Sequence, residues 1–166
     1  MTDMVMAIIV IMGICVLGYI YFNQKSKADA LINEGKMIKR DMMFWKKIEL
    51  FTTSAGYESV KKAAHEMDLS GTNAYIEEDE ELDGKGVILF KSKSRWNAAV
   101  MYKGEKEGKY LYRFSFTTWE SENGFPKDEN SMNVMMTGVE KMFVALDPET
   151  AVETEQMKVK SKTKFF

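Results

Sequence analysis

Residue types able to do chemistry are few in this chain and widely spaced. His65 is the one histidine and Cys15 the one cysteine among 166 residues. His65 is followed by Glu66, but Leu69 stands where an H-E-x-x-H zinc site needs its second imidazole, so that site is excluded. A single cysteine excludes a disulfide framework and the four-ligand zinc patterns. There is no G-x-x-x-x-G-K-[ST] phosphate loop and no G-x-S-x-G elbow, and Gly84-Lys85-Gly86 lacks the third glycine and following helix of a dinucleotide loop. From Glu77 to Asp83 six of seven residues are carboxylates. Hard cations want such oxygens, but the D-x-[DN]-x-[DN]-G spacing that wraps ligands round calcium is absent. Mutual repulsion predicts a solvated loop there, or a docking point for a basic surface. No catalytic, cofactor or metal residue is assigned. An enzyme remains a reading only if carboxylates such as Glu58, Glu66 or Asp68 converge in an apolar pocket.

Charge narrows the partners. With 23 basic against 25 acidic side chains the net charge is -2, so there is no basic excess to bind nucleic acid. Trp96, Tyr102, Tyr110, Tyr112, Phe114 and Phe116 interleave with Lys and Arg as a base-stacking sheet surface would, but the glycines of an RNP1 pattern are missing. The expectation is a core face and no nucleic-acid partner. Between Gly84 and Arg113 there are eight basic and two acidic residues, so charge is segregated along the chain.

The elements that must position these residues begin with an apolar run. Met4 to Phe22 contains no charged residue, and its 19 positions extend about 28 Å as a helix, against a hydrocarbon thickness of about 30 Å. Ala28-Asp29-Ala30 resembles a signal-peptide cleavage site, but the start lacks a positive charge and Lys25 and Lys27 precede it, which favours a retained anchor over residues 1–24. No Lys or Arg precedes the run, whereas Lys25, Lys27, Lys36, Lys39 and Arg40 follow it. The positive-inside rule then predicts the N-terminus outside and the C-terminal domain in the cytoplasm. Cys15 falls in mid-span, and Gly13 and Gly18 lack the spacing of a G-x-x-x-G helix pair.

Beyond the anchor, Leu31, Ile38, Met42 and Trp45 share a helical stripe, with Gly35 on it, which predicts a juxtamembrane amphipathic helix over Lys27–Phe51 within residues 25–53, packed on the domain or lying on lipid. Residues 54–166 form the soluble domain. A helix is expected over Ala55–Leu69, capped by Ser54 and stopped by Ser70-Gly71. Strands are expected at Asn73–Ile76, Val87–Phe90, Trp96–Lys103 and Tyr110–Trp119, with a hairpin tip between Gly104 and Gly108. In the last of these Tyr110, Tyr112, Phe114 and Phe116 face one way and Leu111, Arg113, Ser115 and Thr117 the other. A helix follows over Ser131–Leu146, ended by Asp147-Pro148, and a final strand has Lys158, Lys160, Lys162 and Lys164 on one side, an arrangement that guards a sheet edge.

This order predicts an α+β fold: a transmembrane helix, then a small domain with an antiparallel β-meander and helices packed on one face. The functional expectation is a single-pass membrane protein, held in the bilayer by its N-terminal helix, whose cytoplasmic domain binds a protein partner without catalysis. No small-molecule substrate is indicated. The layout also resembles that of pilin-like subunits, which implies an extracytoplasmic structural role. Their basic leader, and their glutamate early in the apolar run, have no counterpart here.

Overall fold

The computed structural model describes residues 2–82, 85–93 and 95–157. The chain divides into two compact units, Met1–Lys39 and Arg40–Phe166.

The first unit is helix α1, Thr2–Asn33. Its stretch Ile9–Asn33 is long and apolar enough to cross a membrane, and its side chains are exposed all round, as a lipid-facing helix requires. The helix ends at Gly35, which adopts φ 68°. There the Gly35 N–H donates to the Ile32 carbonyl at 2.9 Å and the Lys36 N–H to the Leu31 carbonyl at 2.9 Å. These are the two bonds of a Schellman motif, and they require the left-handed backbone that glycine takes at least cost.

That stop overturns the expected amphipathic helix across residues 27–51. Leu31 belongs to α1, Trp45 to a 3₁₀ turn at Phe44–Lys46, and Lys47–Thr53 is strand β1. The spacing that simulated one helical stripe therefore runs through three conformations. Within β1 the true period is two, with Glu49, Phe51 and Thr53 all buried on one face.

The second unit is a six-stranded antiparallel sheet ordered β2-β3-β4-β5-β1-β8, with β2 Ala74–Leu82, β3 Lys85–Ser92, β4 Trp96–Lys106, β5 Lys109–Trp119 and β8 Ala151–Gln156. The expected meander is β2 to β5; β1 then pairs beside β5, and β8 pairs with β1. Short strands β6, Ser121–Glu122, and β7, Phe125–Pro126, form a separate ribbon. Helices α2, Tyr57–His65, and α3, Glu129–Leu146, pack on one sheet face. The aromatic side of β5 lies under them as expected: Tyr112, Phe114 and Phe116 are buried, Phe51 stacks on Phe143 at 4.2 Å, and Phe116 meets Trp96 edge-on at 5.6 Å. Met132, Met135, Met136 and Met142 of α3 fill the same core, where flexible thioethers fit irregular gaps.

Two expectations need correction. Helix α2 is shorter than 55–69, and its N-cap is Gly56, without a side-chain cap; Ser54 lies before it, its N–H donating to the Asp147 carboxylate at 2.7 Å. The acidic run is a strand, not a free loop: β2 pairs with β3 through it, with a register shift between Glu77 and Glu80, and Glu77 forms an ion pair with Lys91. Backbone pairing along an edge with solvent beside it outweighs the repulsion. At the opposite edge the described strand is β8, whose side chains include the exposed Glu153 and Glu155; the lysine row 158–164 lies outside the described residues.

Gly86 on β3 shows how closely α2 sits on the sheet. A Cβ placed there would penetrate the ring of Tyr57. Gly86→Ala is therefore expected to displace Tyr57 from its contact with Tyr102 and to lower stability by about 1–3 kcal/mol, read as a drop in the urea midpoint of the detergent-solubilised chain.

Candidate functional site

His65, Glu58, Glu66 and Asp68 are exposed on or just after α2. Glu66 faces Lys62 at 3.9 Å, and Asp68 accepts the Ser70 N–H at 2.8 Å. Cys15 is exposed on α1. The unusual electrostatics lie elsewhere, in two places the sequence did not single out.

One is a buried cluster where the chain enters the second unit. Arg40 lies along α3, donating from Nε to Asn133 Oδ1 at 2.9 Å, from Nη2 to Thr137 Oγ1 at 3.3 Å, and from both terminal nitrogens to Glu140, the Nη1 bond being 3.0 Å. Asn133, Thr137 and Glu140 are spaced four and three apart, so one helix face presents all three. Glu49 of β1 approaches Arg40 Nη1 at 3.6 Å from the other side. Its second oxygen is buried without a hydrogen-bond partner among the described residues. Burial, then the hydrogen bond with Glu140 and that carboxylate's charge, push the Glu49 carboxyl up to about 8 against the pull of Arg40 and Lys47. Glu49 therefore stays protonated at neutral pH and shares its proton with Glu140. Only 3% of its surface is exposed. The cluster holds Arg40 against α3.

The other place is the sheet face opposite α2 and α3. Cross-strand partners share a face, so Arg113 of β5, Leu50 of β1 and Glu153 of β8 form one row there. Leu111, Leu89 and Met101 extend a half-buried apolar surface around it. Beside the row is a cavity of about 520 Å³ lined by residues that include Leu50, Leu111, Lys103, Lys106, Lys109 and Glu153. Arg113 Nε is buried without a hydrogen-bond partner among the described residues. An unsatisfied cationic donor in an apolar surface is costly in isolation and well suited to a carboxylate arriving from outside.

The alternation of β5 already placed Arg113 opposite the aromatic face. What sequence reading missed is that β1 and β8 complete the row, since those pairings join segments far apart in the chain. Asn133, Thr137 and Glu140 on an otherwise apolar helix were a visible signal for the first cluster. No protein family, curated protein or solved structure matches the chain.

Proposed function

We propose that this chain is a single-pass membrane protein, N-terminus outside, whose cytoplasmic α+β domain binds another protein without catalysis. Helix α1 is its anchor. The observation that carries the reading is the sheet face opposite α2 and α3, where the half-buried Leu50, Leu111 and Met101 surround Arg113, whose Nε has no hydrogen-bond partner among the described residues. Apolar surface around a polar anchor is the anatomy of a binding patch. Orientation follows from the positive charges, none before the apolar run and Lys25, Lys27, Lys36, Lys39 and Arg40 after it.

A tag placed after Phe166 tests the orientation in vesicles treated with protease. Loss of the tag only from inverted vesicles is the expected result. Loss from right-side-out vesicles would put the domain outside the cell and replace this reading with a surface structural subunit.

A further inference from the structure

We infer that the cavity at the β4–β5 hairpin end of the sheet binds a small amphipathic carboxylate, its anionic group held among Lys103, Lys106 and Lys109 and its apolar body lying on Leu50 and Leu111. The hollow follows from the sheet register. Gly104, Leu111, Thr52 and Ala151 are successive cross-strand partners, so they form one row across β4, β5, β1 and β8. All but Leu111 have short side chains or none, whereas the next row along the strands carries Met101, Arg113, Leu50 and Glu153. A Cβ added at Gly104 would meet no atom within 4 Å. The resulting space of about 520 Å³ has the ordinary size of a small-molecule pocket.

The charge pattern selects an anion. Glu107 and Gly108 join the two strands with φ 55° and 75°, positive at both central positions as in a type I′ turn, and this sets Lys106 directly opposite Lys109. Like charges in a cross-strand pair repel. A register shift between Tyr102 and Gly104 adds a third ammonium group, Lys103, to the same cavity. Among the described residues none of these lysines forms an ion pair, although Glu107 and Glu153 also line the cavity. An external anion relieves the repulsion that the fold leaves standing.

The lining also sets the kind of anion. Three ammonium groups set against two carboxylates leave a single positive charge, which suits a monoanion such as a carboxylate better than a phosphate dianion. Arg113, one row beyond, adds to the positive field, its buried Nε short of an acceptor. Leu50 and Leu111 are half-buried and offer apolar contact that a bare inorganic anion cannot use. Glu153 stands across Leu50 from Arg113, so it repels a second carboxylate and favours a ligand with one anionic end.

Saturation-transfer NMR titration of naphthoate against the full chain in zwitterionic nanodiscs at neutral pH, with empty nanodiscs as the blank, tests this. A dissociation constant of about 1 mM or below is expected from ordinary ligand efficiency for a body of this size, with the neutral naphthamide binding about tenfold more weakly. Lys103→Gln together with Lys109→Gln should weaken naphthoate about tenfold, Glu153→Gln should tighten it, and Thr52→Trp should abolish it by filling the hollow. Lys103 and Lys109 are exposed, so their variant keeps the test open if Thr52→Trp does not fold. No transfer above the blank, equal affinity for naphthamide, or displacement by inorganic phosphate at equal concentration overturns the proposal. Loss of naphthoate binding in nanodiscs containing phosphatidylserine would give the site to lipid headgroups and overturn it too. Any of these failures leaves the protein-binding reading standing, because a crosslink from Leu111 to a partner protein tests that reading separately.

Discussion

Arg40→Met should destabilise the domain by about 3–5 kcal/mol, the largest effect of any single substitution considered, because it strips the counter-charge from a carboxylate pair held inside the fold. Arg40 satisfies Asn133, Thr137 and both oxygens of Glu140, and it is also the nearest positive charge to Glu49. Methionine keeps the length and apolar stem of the side chain, so the loss comes from the charge and the hydrogen bonds, not from a cavity. Urea unfolding of the detergent-solubilised full chain reads it. Adding Glu140→Gln should recover much of the loss, since Glu49 is protonated at neutral pH and no ionised carboxylate then remains in the pair. A loss under 1 kcal/mol for the single variant would mean that the cluster is hydrated and worth no more than a surface ion pair.

The second large effect is on pH dependence. The Glu49 carboxyl is raised from 4.5 to about 8 in the fold, so between those values the folded chain holds a proton that the unfolded chain has released. Stability from this group is full below pH 4.5 and is lost as pH rises toward 8, at up to about 1.4 kcal/mol per pH unit. Asp147 works at the other end. It accepts the Ser54 N–H at 2.7 Å, the Glu149 N–H at 2.9 Å and the Thr53 hydroxyl at 3.2 Å. Those bonds hold it down from 3.8 to about 2, so its contribution is present above pH 3.8 and disappears as pH falls toward 2. The two together place maximum stability in the mildly acidic range. Glu49→Gln keeps a donor toward Glu140 but cannot ionise, so its urea midpoint should stay nearly level from pH 5 to 8 while that of the original chain falls. Parallel profiles for the two would show that Glu49 is ionised throughout.

The parts of the fold that were legible are those whose period is set by one neighbouring layer. The Met4–Phe22 stretch of α1 carries no charge on any side and is long and apolar enough to cross a membrane. β5 alternates because helices cover its aromatic face, and α3 repeats every three to four residues because one side meets the sheet. β1 was not legible. Ile38, Met42 and Trp45 precede it at helical spacing, and its buried face carries Glu49, an acid whose place in the core makes sense only with Arg40 and Glu140 beside it. The acidic run misled for a related reason: its pairing with β3 is a property of two strands, and repulsion within one segment does not reveal it. Both electrostatic centres share this origin. Arg40 and Glu140 are 100 residues apart, and the row through Arg113, Leu50 and Glu153 exists only because β1 lies between β5 and β8.

That row makes the sheet face opposite α2 and α3 the centre of the account, and a photo-crosslinking amino acid at Leu111 tests it most directly in the full chain in native membranes, with the same group at Val144 on α3 for comparison. The account predicts protein adducts from Leu111 and none above background from Val144. No adduct from Leu111, or equal yields from both positions, would contradict it.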